Sequence, residues 1–313
     1  MLVSNDSASD IKSLITRSYR YFESGDFGNA QRMLEQAHAQ DFENREIQGA
    51  LRACGFWARR VEGLEKLPPG GTKGDELRRQ WKAFEGRYPQ NFDHPFEGGV
   101  AALRSWVYTS ALDSYLRQSE TDAEALFQAG RCHKVLGGYE QAISTIEMAI
   151  REAGKQEARS LAELADVYAL VGETRAAKVL MREALFLNAP EVECEELASP
   201  LFRRLIQRLE QELDENDPGF AEWLPVYGTL WGVFDVKREL SAVEFGKLKQ
   251  RIYALKSEIA DGDAERRLKP RLINHYFRMI DHYQSASADR SAIEEVLMEI
   301  KLLSPGIYRK YFE

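Results

Sequence analysis

YFESGDFGNAQRMLEQA, residues 21–37, sets an aromatic residue, a Gly-Asp pair and two alanines at offsets that return twice more along the chain. The full skeleton is Ser18-x2-Tyr21-x3-Gly25-Asp26-Phe27-x2-Ala30-x3-Leu34-x2-Ala37. A second copy carries Gly130, His133, Gly137, Gly138, Tyr139, Ala142, Ile146 and Ala149 at the same spacing. A third carries Ala165, Tyr168, Gly172, Glu173, Thr174, Ala177, Met181 and Ala184. From Gly137 to Gly172 is 35 residues, the period of a stacked helix–turn–helix unit.

The logic of the skeleton is steric. Two antiparallel helices approach closely only where one offers a small side chain, so Gly130 and Ala165 are expected to face Ala142 and Ala177. The turn glycines Gly25, Gly137 and Gly172 are expected to end the first helix of each pair in a left-handed C-cap. Tyr21 and Tyr168 fill the space between helices with their hydroxyls towards water. Ala37, Ala149 and Ala184 let a following pair approach.

Composition agrees with an all-α chain. Hydrophobic residues make up 44% and charged residues 29% of the 313, and Ala, Leu, Glu, Arg and Gln are plentiful. A formal charge of −8 opposes a general nucleic-acid binder, although basic clusters stand at Arg203-Arg204 and at residues 266–269. No leader-like stretch opens the sequence and no long apolar window occurs, so a cytoplasmic protein without a membrane span is expected, one that reaches a membrane-bound assembly only through partners. Cys54, Cys132 and Cys194 are widely spaced and follow no metal pattern, as buried thiols in a reducing compartment would.

These residues resemble the tetratricopeptide repeat family over residues 11–44, 123–157 and 158–190. The expected architecture is a solenoid of helical hairpins over residues 1–190 and a helical C-terminal module over 199–313. Between the first and second repeats, Gly25 to Gly137 is 112 residues, which calls for irregular repeats with insertions. Residues 45–67 and 74–88 read as helices, and 94–118 as a degenerate hairpin with Gly99 and Ala111 as small contacts. PPGGTKGDE, residues 68–76, lacks phosphate-loop spacing and reads as a loop. The Pro-containing acidic stretch at 188–199 reads as the boundary.

Beyond it, Ser199 as N-cap and Pro200 open a helix. Further helices are expected over 217–234, with Trp223, Tyr227, Trp231 and Phe234 on one stripe, and over 242–259, 271–283 and 291–303. The stripe is either core or a second interface through Trp223 and Trp231. Residues 222–240 with 268–283 are similar to the C-terminal region of tetratricopeptide scaffold proteins of spirochaete bacteria, some of which belong to the collar of the periplasmic flagellar motor.

No catalytic constellation emerges. His275 and His282 share a helix face but have no third ligand nearby, and residues 261–267 lack the spacing of a calcium loop. Neither an enzyme nor a bound metal or cofactor is expected. The family resemblance implies instead a groove lined by first helices: Lys12, Ile15, Tyr19 and Phe22 in the first repeat, Glu124, Phe127, Arg131, Lys134 and Val135 in the second, and Arg159, Ala162, Asp166, Ala169 and Leu170 in the third. Phe127 and Arg131 stand where the family's carboxylate clamp has Lys and Asn, so that clamp is not expected. Arg131, Lys134 and Arg159 suit an acidic or phosphorylated segment of a protein or peptide partner. A homo-oligomer is compatible with the pattern. A flagellar collar component and a helical RNA-binding protein are the alternatives to a protein-binding adaptor or scaffold.

Overall fold

A computed structural model describes residues 5–87, 96–117, 122–213, 219–260, 265–287 and 290–313; at 5–8 and 265–266 it describes the backbone alone. Among them are fifteen α-helices, two 3-10 turns and no strand. The all-helical expectation holds.

The chain divides into two compact units, Met1–Ala153 and Gly154–Glu313. The first contains α1 (Asn5–Glu23), α2 (Phe27–Gln40), α3 (Arg45–Glu65), α4 (Gly71–Arg87), α5 (Glu97–Leu116), α6 (Ala123–Val135) and α7 (Tyr139–Ala153). The second contains α8 (Ala158–Leu170), α9 (Thr174–Asn188), turns at Ala189–Glu191 and Cys194–Glu196, α10 (Pro200–Glu212), α11 (Phe220–Leu230), α12 (Ala242–Ala260), α13 (Glu265–Ser285), α14 (Arg290–Leu303) and α15 (Pro305–Lys310).

Three hairpins, α1–α2, α6–α7 and α8–α9, share one turn. Gly25, Gly137 and Gly172 have φ of 74°, 80° and 88°, the left-handed region that a Cβ disfavours. The next residue's N–H reaches back to close the helix: Asp26 to Tyr21 O, Gly138 to His133 O and Glu173 to Tyr168 O, each 2.9 Å. The second helices bury the same positions: Ala30, Leu34 and Ala37; Ala142, Ile146 and Ala149; Ala177, Met181 and Ala184. One detail of the close contact differs from expectation. A Cβ on Gly130 would lie 2.5 Å from Ile146 Cγ1, so Gly130 faces Ile146, one turn beyond Ala142.

Between the first two hairpins the first unit is filled by aromatic packing. Trp57 meets Trp106 edge-on with centroids 5.3 Å apart, and Phe56, Trp81 and Phe84 join the same cluster. Trp106 also covers the first turn, where a Cβ on Gly25 would come within 2.4 Å of its Nε1.

Four sequence expectations change. Residues 97–116 form one continuous helix, not a hairpin; Gly99 is a point of close approach within it, its space taken by Tyr19 and Phe96. Residues 94–95 and 118 of that expected hairpin lie outside the described residues. Helix α4 begins at Gly71, leaving only 66–70 as connection. Helix α11 stops at Leu230, with Gly232 at φ 68°, and Phe234 folds back onto Gly228 instead of continuing the stripe. The units part between Ala153 and Gly154, whereas the sequence placed the break at 188–199. The third hairpin therefore belongs with the C-terminal helices. Asp166 on α8 accepts the N–H groups of Ala198 (2.8 Å) and Ser199 (2.9 Å), tying the entry of α10 to that hairpin. Of the run 261–267, read from the sequence as lacking calcium-loop spacing, residues 261–264 lie outside the described residues.

In the second unit α13 packs on α11, α12 and α14 and is buried at ten successive positions, Leu272 to Asp281. A helix buried on every side with charges in it must pair them. Arg182 on α9 meets Asp281, Glu183 meets Arg278, and Glu222 on α11 meets Arg271.

Candidate functional site

Of the residues assigned to the groove, the first hairpin places Lys12, Ile15 and Tyr19 beside one cavity of about 540 Å³, closed on its other side by Asp41, Asn44 and Glu46. The Tyr19 hydroxyl donates to Glu46 Oε1 at 2.8 Å, and burial together with that carboxylate pushes its pKa up. Phe22 is fully buried under Phe27 and Tyr19, so it belongs to the core and not to a groove wall.

The second hairpin departs further. Phe127, Arg131 and Lys134 are all buried, the Arg131 guanidinium lies 5.2 Å from the Phe127 ring centre, and none of the three is without an interaction. They are packing residues and do not present an exposed basic row. Asp166 of the third hairpin is fully buried and committed to the backbone of residues 198 and 199. The sequence reading took an average repeat as its guide, and these positions are covered here by neighbours that an average repeat does not specify.

Arg159 lies in a depression of about 580 Å³ with Lys155 and Glu157. Glu157 bridges both cations at 3.0 Å, which holds its carboxyl below the usual range, Lys155 contributing most. Trp223 and Trp231 are half-buried around Tyr227, with centroids at 5.9 and 5.0 Å, and the Arg208 guanidinium stacks on Trp231 at 4.1 Å. They are core-edge residues, partly open to solvent.

The two histidines of α13 are occupied. His275 Nδ1 lies 2.8 Å from Arg271 O, to which only an N–H can donate, and its ring packs on Phe186 at 4.7 Å. Burial, helped by Arg251, Arg271 and Arg278, brings its pKa down to about 4, so the ring is neutral at pH 7. His282 Nδ1 accepts the Leu240 N–H at 3.0 Å. Burial pushes the thiols of Cys54, Cys132 and Cys194 up to about 12. Among the described residues no group of three or more His, Cys, Asp or Glu is placed to hold a metal, and no helix is long and apolar enough to cross a membrane.

The sequence reading missed a cavity of about 390 Å³ within the second unit. Leu161, Phe186, Leu187, Leu240 and Leu248 form its apolar wall. Five cations face it, Arg238, Lys247, Arg251, Arg271 and Arg278, against two carboxylates, Glu183 and Glu244. Arg238 reaches Glu244 at 2.8 Å and Glu183 at 3.4 Å, and Arg278 shares Glu183. Glu244, further held by the Ser241 N–H and hydroxyl, is lowered to about 2, with Arg238 the largest cause. Gln156 and Leu187 line both this cavity and the depression holding Arg159. One signal was available in the sequence: Arg271, His275 and Arg278 stand at i, i+4 and i+7, the first just before and the others within the mainly apolar run from Leu272 to Ile280, a polar stripe where a core face is expected.

The chain matches no protein-family model and no curated protein.

Proposed function

We propose that this chain is a non-enzymatic adaptor or assembly scaffold of tetratricopeptide type, binding protein partners through helical hairpins. The observation that carries the reading is the shared turn of α1–α2, α6–α7 and α8–α9, with its glycine, its capping bond and its buried alanines at a 35-residue interval in the last two. Such units join by surface complementarity, which leaves their outer helices for partners. The partner surface with most support is the α1 cavity, where the half-buried Tyr19 ring offers apolar area and Lys12, Asp41 and Glu46 a mixed-charge rim. A segment with an apolar anchor and charges of both signs suits it.

The experiment is affinity capture of the tagged protein from its native cells, in parallel with a Lys12→Glu/Thr16→Glu variant. Both side chains are exposed, so the helix is expected to keep its circular dichroism. A stoichiometric protein set, reduced about tenfold by the variant, supports the reading. Unchanged capture removes the α1 cavity from it, and recovery with RNA that washes off steeply with salt favours the nucleic-acid alternative.

A further inference from the structure

We propose that the basic-walled cavity of the second unit binds a small amphipathic anion, an apolar body carrying one phosphate or carboxylate group. This goes beyond the adaptor reading and concerns a different surface.

The size of the space limits its occupant. At about 390 Å³ it lies near the lower end of the ~300–1,000 Å³ typical of small-molecule sites, too small for a folded partner. Its lining is divided as such sites are, with leucines and Phe186 on one part and convergent charges on another.

The charge of the ligand follows from what the wall leaves unanswered. Glu183 and Glu244 are already taken by Arg278 and Arg238. Arg271 is matched by Glu222, a buried carboxylate outside the wall. Among the described residues Arg251 meets Glu258 alone, in an exposed pair seven residues away on α12, and such pairs hold weakly. Lys247 stands one turn before Arg251 on the same face and meets no carboxylate among the described residues. Arg278 is 5% exposed, and its Nε is a buried donor without an acceptor. A phosphate or carboxylate oxygen supplies that acceptor, and its charge meets the Lys247–Arg251 pair. Guanidinium groups hold both anions through paired N–H donors. The neutral His275 ring adds no repulsion and extends the aromatic surface of Phe186.

The test is isothermal titration of the full chain with phenyl phosphate and benzoate, which share a ring and differ in head group. Inorganic phosphate serves as the head alone and benzylamine as the oppositely charged control. Saturable one-to-one binding of at least one aromatic anion is expected, about tenfold tighter than its bare head, with none for benzylamine. The tighter of the two identifies the head group. Lys247→Glu/Arg251→Glu is expected to weaken binding at least tenfold. Both positions are exposed, and Lys247→Gln/Arg251→Gln, with an intermediate loss, separates charge from folding. No saturable binding of either aromatic anion, or an affinity unchanged in the Glu variant with its helicity intact, overturns the proposal. Inorganic phosphate binding as tightly as phenyl phosphate overturns the apolar half of it. A preference for an acidic peptide over both small anions overturns the small-molecule assignment.

Discussion

In the first unit Trp57, Trp81 and Phe84 are among the largest fully buried side chains, packed ring on ring. In the second the buried middle of α13 carries His275, Arg278 and Asp281 between its apolar residues. Aromatic burial is non-directional and scales with area, so such a core loses stability in proportion to what is removed. A buried ion pair behaves otherwise. It adds little beyond its own desolvation cost, yet removing one member strands the other. Equal burial therefore conceals two kinds of vulnerability, and α13 has the sharper one.

The largest effect that tests this contrast comes from Asp281. Asp281→Ala leaves the buried Arg182 guanidinium with only the Val236 carbonyl at 2.8 Å, and a loss of about 3–5 kcal/mol is expected. Denaturant unfolding gives the size, and hydrogen exchange is expected to confine the loosening to residues 154–313. The double variant Arg182→Met/Asp281→Met should lose less than the single one. A single-variant cost below about 1 kcal/mol would mean that water reaches the pair, and the contrast between the units would fall.

Acid sharpens the contrast next. His275 has a folded pKa of about 4 against an ordinary 6.5, so the fold favours its neutral form. The associated stability is complete above pH 6.5 and is lost as pH falls from there towards 4. At about 1.4 kcal/mol per pKa unit the whole effect is of order 3 kcal/mol. Comparing unfolding free energies of the parent and His275→Gln between pH 7 and pH 4.5 subtracts the carboxylates that titrate in both. The variant should show the shallower fall. Parallel curves would place His275 in water.

Local chemistry made the hairpins legible: a glycine after the first helix, small residues at fixed offsets, and periodic apolar positions in between. It also gave α3, α4, α12 and α14 to within a few residues, and α13 with its start six residues late. What was not legible is contact at a distance. Gly99 is legible as a small contact, but its partner Tyr19, some eighty residues earlier, and the unbroken course of α5 through Gly98 and Gly99 are not. The stretch at 188–199 looks like a linker because nothing in it announces that Asp166 will hold its backbone. The same limit governed the sites. Phe22 and Asp166 carry the right residue types for a groove and the wrong neighbours for one. The cations of the second-unit cavity come from three separate stretches between 238 and 278, so no spacing could bring them together in advance.

The smallest expected effect asks whether the repeated contact is the same in both units. Ala142 on α7 and Ala177 on α9 are equivalent in the skeleton and fully buried, but one lies in each unit. Replacing either by leucine forces extra carbon atoms between two helices already in contact, at a cost of about 1–3 kcal/mol. Because the shared turn fixes the approach of each pair, the two losses should agree to within about 0.5 kcal/mol, the usual error of independent sites. Thermal unfolding of the two single variants decides it. Agreement makes the hairpin a module that behaves alike against an aromatic core and against a charged one. A clearly smaller loss for Ala177→Leu would mean that α9, tethered at Arg182 and Glu183, yields more readily than α7, and that the charge network sets the hairpin's geometry rather than its turn.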